Sequence, residues 1–161
     1  MKENQTGFSI VELIVVITIL GIVVAIAIPN LLASRRSANE GSAVSSLRTI
    51  SNAEATYITS KGSGNYASME TLLNEKLVDE SLGNATTPGR SKSGYYFEIE
   101  LSPDSNPPII GIRGLPMVRN GALATGRRTY WIGESGTIYF NNNAEDINIE
   151  DRTPTNASPL D

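Results

Sequence analysis

The stretch Gly7-Phe8-Ser9-Ile10-Val11-Glu12-Leu13-Ile14, continued by apolar residues to Ile28 and closed by Pro29, decides how this chain is built. Between Phe8 and Ile28 stand fourteen Ile, Leu or Val residues and one ionisable side chain, Glu12. As a helix the run is roughly 31 Å long, about the thickness of a bilayer core. Phe8 and the aliphatic residues favour membrane insertion by about 5–9 kcal/mol. Glu12 opposes it, but near one end its cost falls below the roughly 2.5–3.5 kcal/mol of a charge at the bilayer centre. Residues 8–28 are therefore predicted to span a membrane, with a carboxylate that needs a partner.

The segment does not read as a secretory signal. Such a signal carries its small-residue cleavage site after the apolar stretch. Here the polar leader, residues 1–7, comes first, and no Ala-x-Ala site follows the run. Cleavage after Gly7 would keep the span in the mature protein and create an α-amino group on Phe8. That ammonium would give Glu12 a cationic partner, and two charges in a medium of low dielectric are tolerable only when paired.

Residues 7–14 closely resemble the type IV prepilin cleavage and methylation motif, and Pro29 sits where pilins carry a helix-kinking proline. The resemblance is specific over residues 7–30 and architectural to about residue 60. It implies cleavage by a prepilin peptidase/N-methyltransferase, methylation of Phe8, and pairing of Glu12 with the amino terminus of a neighbouring subunit during assembly. It also implies a leader in the cytoplasm, a single inner-membrane span, a head in the periplasm, an inner-membrane assembly platform as partner, and a filament of this and other pilins as destination. Charge alone points the other way, because Arg35, Arg36 and Arg48 follow the span while only Lys2 precedes it. A leader of the cleaved type demands the topology of the family, and the expectation follows it.

Gly21 and Ala25 form a small-xxx-small pair, which suits close helix packing or reflects the tolerance of small residues in a span. Pro29 lacks an N–H and is expected to kink the helix. Beyond it Val44, Leu47, Ile50, Ala53, Tyr57 and Ile58 recur at helical spacing, with Arg35, Arg36, Glu40, Arg48 and Glu54 assigned to the other side. One helix is thus predicted from Ser9 to Ser60, with a membrane half and an amphipathic half (29–60), ended by Gly62-Ser63-Gly64-Asn65. Ser68 should cap a short helix over Met69–Lys76.

Residues 83–94 read as a loop. Tyr95–Leu101, Ile109–Arg113, Thr129–Ile132 and Thr137–Phe140 read as three strands and a possible fourth, bounded by Pro103, Pro107-Pro108 and the turn Gly133-Glu134-Ser135-Gly136. A long helix followed by antiparallel strands gives an α+β fold, the helix lying on a small antiparallel sheet, as in a pilin head. The head is expected over residues 61–161, ending in a polar surface tail.

The composition narrows the function further. The 161 residues carry 17 acidic and 13 basic groups, a net charge of −4, with no Cys and no His. No disulfide, thiolate nucleophile or imidazole base is available, so no enzyme is expected and no cofactor is assigned. Arg90, Lys92, Arg113, Arg119, Arg127 and Arg128 outnumber Glu98, Glu100 and Asp104 over residues 86–130. With Tyr95, Tyr130 and Trp131 near them, they suit either DNA or an acidic patch on a neighbouring subunit. Glu145, Asp146, Glu150 and Asp151 are candidate calcium ligands, without the spacing of an EF-hand loop. The sequons at Asn84 and Asn156 read as chance. Three readings remain open: a pilin of a surface pilus supporting adhesion, motility or uptake, a pseudopilin of a type II secretion system, and a membrane-tethered periplasmic binding module that never polymerises.

Overall fold

The computed structural model describes residues 7–102, 109–150 and 153–160. The leader before Gly7, the prolines at 103, 107 and 108, Asp104 and the calcium candidate Asp151 lie outside the described residues. The chain divides into two compact units, one up to Ser34 and one from Arg35 onward.

Helix α1 spans Ile10–Ser60, with Pro29 inside it. Its N-terminus is a capping box. The Ser9 hydroxyl accepts the Val11 N–H at 3.3 Å, and the Glu12 carboxylate accepts the Ser9 N–H at 3.0 Å. Its C-terminus closes where the N–H groups of Lys61 and Gly62 both donate to the Tyr57 carbonyl, at 2.9 and 2.8 Å. α2 (Met69–Asn74) is capped by the Ser68 hydroxyl, as expected, and stops two residues short of Lys76. A further turn, α3 (Glu80–Gly83), is capped by the Asp79 carboxylate. Sequence reasoning missed it, because four residues are too few to display a helical period.

The strands are β1 (Tyr95–Ser102), β2 (Ile109–Pro116), β3 (Thr129–Gly133) and β4 (Ile138–Asn141). After them come β5 (Ile149–Glu150), β6 (Thr153–Pro154) and β7 (Ser158–Pro159). The main sheet has the order β1-β2-β3-β4-β7 with every pair antiparallel, and β5 and β6 form a separate hairpin. The predicted second strand proves longer, reaching Pro116.

One face of this sheet receives the second half of α1. Ala43, Leu47, Ile50 and Ala53, spaced one helical turn apart, meet Phe97, Ile112, Tyr130, Ile132 and Ile138. Each fully buried large apolar side chain contributes about 1.5–3 kcal/mol. Tyr95, fully buried at the edge of this core, donates its hydroxyl to the Arg128 carbonyl at 2.7 Å. A Cβ on Gly126 would overlap that hydroxyl and its ring. Gly126→Ala is therefore expected to cost about 2–3 kcal/mol, read as a lowered midpoint in urea. An unchanged midpoint would mean that Tyr95 has room to move.

The other face is covered too. Tyr96, Leu115 and Trp131 alternate with the core-facing residues and are nonetheless buried, together with Ala144 and Ile147 from the segment after β4. The Thr129 hydroxyl donates to the Glu145 carbonyl, and Arg113 Nη2 donates to the Ile147 carbonyl at 3.4 Å. The Trp131 indole lies across Gly111 and Gly133, where any Cβ would strike it.

The expectation of a polar surface tail is thereby corrected. β7 pairs with β4, and the Leu160 N–H donates to the Ile138 carbonyl at 2.7 Å while its side chain packs on the core. Asn141 Nδ2 donates to the Asn156 carbonyl at 2.9 Å, and Asn156 Oδ1 accepts the Asn148 N–H at 2.7 Å. Isolated anchors, Ala144, Ile147 and Leu160, hold a segment whose average composition is polar. Hydrogen bonds and packing do here what a disulfide cannot do in a chain without cysteine.

Candidate functional site

The candidate site is the N-terminal part of α1. Gly7 and Phe8 precede the first helical residue and are exposed, Phe8 by 85%. A peptide bond in that setting is accessible to a peptidase. The helix that follows contains an 18-residue window of mean hydropathy 3.0, none of it buried. Every large apolar side chain from Ile10 to Ile28 is exposed. A contiguous apolar surface of this extent in a single chain marks a membrane or protein contact.

Glu12 sits one turn into this surface, and its carboxylate is held by the Ser9 N–H. Gly7, Phe8 and Glu12 thus cluster at the helix start, with Pro29 farther along the same helix. Pro29 has no N–H to donate to the Ala25 carbonyl. One residue on, Asn30 Nδ2 donates to the Ile26 carbonyl at 3.2 Å and adds a side-chain bond where the ladder is weakened. Thr18 bonds back to the Ile14 carbonyl at 2.7 Å, so the hydroxyl in the middle of the apolar run is also satisfied.

In the head the structure rearranges the expected groupings. Most of the basic residues have partners within the chain. Lys92 pairs with Asp79 at 3.3 Å, Arg113 with Glu100 at 3.3 Å and Arg119 with Asp146 at 2.9 Å. Arg128 lies over the Phe140 ring, 4.8 Å from its centroid, and donates to Asn142. Tyr95, Tyr130 and Trp131 are buried and unavailable for stacking on bases. Of the calcium candidates, Glu145 and Asp146 are exposed, and Asp146 is engaged by Arg119. Among the described residues no three acidic side chains gather into a metal-sized group. The Asn156 side-chain amide donates to the Asp146 carbonyl at 3.0 Å, which ties this sequon to the fold.

One functional group escaped the sequence reading. Glu54, assigned to the polar side of the helix, is 2% exposed. One carboxyl oxygen accepts the Ala67 N–H at 2.9 Å, and the other is buried without a hydrogen-bond partner. Burial pushes its pKa up from the usual carboxylate range to about 7, with the Ala67 bond pulling the other way. The spacing of Leu47, Ile50 and Glu54 on one helix face was the available signal. The carboxylate itself argued for the outside.

Residues 2–28 match the family described as the prokaryotic N-terminal methylation motif. The type II secretion system core protein G of Aeromonas hydrophila is 30% identical over 106 residues, 66% of this chain and 72% of that protein. The chain belongs to the type IV pilin and pseudopilin family. Within it, the core protein G of Escherichia coli is 28% identical over 104 residues, covering 65% of this chain and 70% of the relative. The type IV wide pilus major component PilA4 of Thermus thermophilus is 50% identical over 38 residues, 24% of this chain and 29% of that pilin. No solved structure matches the chain significantly. Members of this family are structural subunits. The long helix on an antiparallel sheet is the pilin-like arrangement expected from the sequence.

Proposed function

We propose that this protein is a structural subunit of a type IV pilus-like filament, held in the membrane before assembly. The observation that carries this reading is the uncovered apolar surface from Phe8 to Ile28, preceded by an accessible Gly7–Phe8 bond. In the membrane the surface faces lipid. In a filament it is buried against the same helix of other subunits. Residues 1–7 would be the cytoplasmic leader removed by a prepilin peptidase, Phe8 the methylated new terminus and Pro29 the point where packed helices loosen. The head, outside the span, would then be periplasmic and later extracellular.

A second reading, a pseudopilin of a type II secretion system, is favoured by the extent of the likeness to core protein G. That match covers 106 residues and so passes well beyond the N-terminal helix, whereas the likeness to the pilin covers 38. A tethered module that never polymerises would leave the apolar helix in lipid throughout.

Mass spectrometry of filaments sheared from the cell surface tests the proposal. The expected result is this chain beginning at N-methylated Phe8. Its absence from surface filaments, with loss of protein secretion on deletion, would move the chain to the pseudopilus. Retention of Met1 in the inner membrane would overturn both filament readings.

A further inference from the structure

Asn120-Gly121, in the connection between β2 and β3, is the single Asn-Gly pair of the chain, and both residues are exposed. Gly121 has a φ of 91°, in the left-handed region that glycine enters without steric cost. Apart from its chain neighbours, no heavy atom lies within 4 Å of where its Cβ would stand. The turn closes beyond the pair, where the Ala124 N–H donates to the Gly121 carbonyl at 3.2 Å. That bond occupies the carbonyl of Gly121 and leaves its N–H open. Among the described residues nothing bonds to this N–H or to the Asn120 side-chain amide.

The other asparagines are placed differently. Each is followed by a residue that carries a Cβ. Asn30, Asn39 and Asn52 lie inside α1, where the next N–H belongs to the helical ladder. After Asn74 the Glu75 N–H is held by the Thr71 carbonyl at 2.9 Å, and after Asn84 the Ala85 N–H is held by the Leu82 carbonyl at 3.0 Å. After Asn142 the Asn143 N–H is held by Asn141 Oδ1 at 2.9 Å. An amide nitrogen that must lose its proton and swing toward a side chain has first to break such a bond. Gly121 has no bond to break and no side chain to carry.

We propose that Asn120 is a site of spontaneous deamidation, through a succinimide ring closed by the Gly121 nitrogen. Solvent hydroxide takes the Gly121 N–H proton, and the nitrogen forms a bond to Asn120 Cγ. The Cγ–Nδ2 bond breaks, and ammonia leaves with a proton from water. Water then adds to one of the two ring carbonyls. Opening at Cγ returns the normal backbone and gives aspartate. Opening at the backbone carbonyl gives isoaspartate, in which the chain runs through the side-chain carboxyl. The sum is one water consumed and one ammonia released, with no change of oxidation state. The product adds a carboxylate beside Arg127, which lines the same surface as Asn120 and is itself exposed. None of this chemistry depends on the filament reading.

Ageing the full chain in detergent, at mildly alkaline pH in water enriched in heavy oxygen, tests the proposal. Trypsin cuts after Arg119 and Arg127 and releases the peptide 120–127 for mass spectrometry. Heavy oxygen marks conversion during ageing and excludes conversion during the digest in ordinary water. Isoaspartate beside aspartate marks the ring, because direct hydrolysis of the side-chain amide gives aspartate alone. The peptide is expected to gain both products at a rate within about tenfold of that in the urea-unfolded chain. Every other asparagine of the folded protein should convert at least about tenfold more slowly. On isoelectric focusing an acidic satellite should grow with age in the parent protein and stay absent from Asn120→Ser. An unconverted Asn120 in the folded protein would overturn the proposal, whether or not the unfolded chain converts. Aspartate without isoaspartate, or faster conversion of another asparagine, would overturn it as well.

Discussion

Glu54→Gln is expected to stabilise the head by about 3 kcal/mol at pH 8 and to leave its stability unchanged at pH 4. Glutamine keeps the shape of the side chain and can accept the Ala67 N–H, but it carries no charge to desolvate. In the parent protein the folded-state pKa of Glu54 is raised from 4.5 to about 7. The sign follows from proton binding: between these values the folded state holds the proton that the unfolded chain releases. The contribution is fully present below about pH 4.5 and is lost as pH rises through 7. Urea midpoints of the two proteins should therefore diverge steadily from pH 4 to pH 8. Parallel curves would mean that water reaches the buried oxygen and that the carboxylate ionises at little cost. Through Ala67 the carboxyl joins α1 to the loop that leads into α2, so this loop is where the parent protein should loosen first at high pH.

Glu12→Ala is expected to reduce filament yield by about a hundredfold while the protein stays in the membrane. Glu12 has two possible tasks, and a second substitution separates them. The first is local: the carboxylate caps the Ser9 N–H at 3.0 Å, a role worth about 0.5–2 kcal/mol. Cleavage after Gly7 leaves Ser9 in the chain, so this cap survives maturation. The second is the proposed pairing with the Phe8 ammonium of a neighbouring subunit, where an unpaired charge in a dry bundle costs several kcal/mol. Glu12→Gln retains an oxygen for the Ser9 N–H and removes the charge. If pairing drives assembly, the glutamine variant fails as the alanine variant does. If capping is the sole task, it assembles like the parent protein. Quantifying sheared filaments against the membrane pool distinguishes the two.

Much of the fold was legible because its signals are local. Ser68, a short polar residue ahead of an apolar run, marks the start of α2, and the long apolar run after Ser9 marks α1. The alternation of Tyr95–Leu101 placed Tyr95, Phe97 and Ile99 on one face, and the structure packs all three against the helix. Less legible were features that depend on distant partners. Asp79 and Lys92, or Arg119 and Asp146, are 13 and 27 residues apart, and no period links them. The basic residues therefore read as one excess of charge, when folding pairs Lys92, Arg113 and Arg119 with separate carboxylates.

The sequence alone determined the membrane-length helix, its processing motif, the family and the order of helix before sheet. Apolar runs, caps and turns act over a few residues and carry their physics with them. Only the tertiary structure decided that Glu54 is inside, that the polar C-terminal segment forms a second layer over Trp131 and closes the sheet through β7, and that Arg119 meets Asp146. Each of these depends on what the fold places opposite a side chain. Burial and the nearest charge, rather than residue type, then set whether a carboxylate is neutral and whether an arginine is already paired.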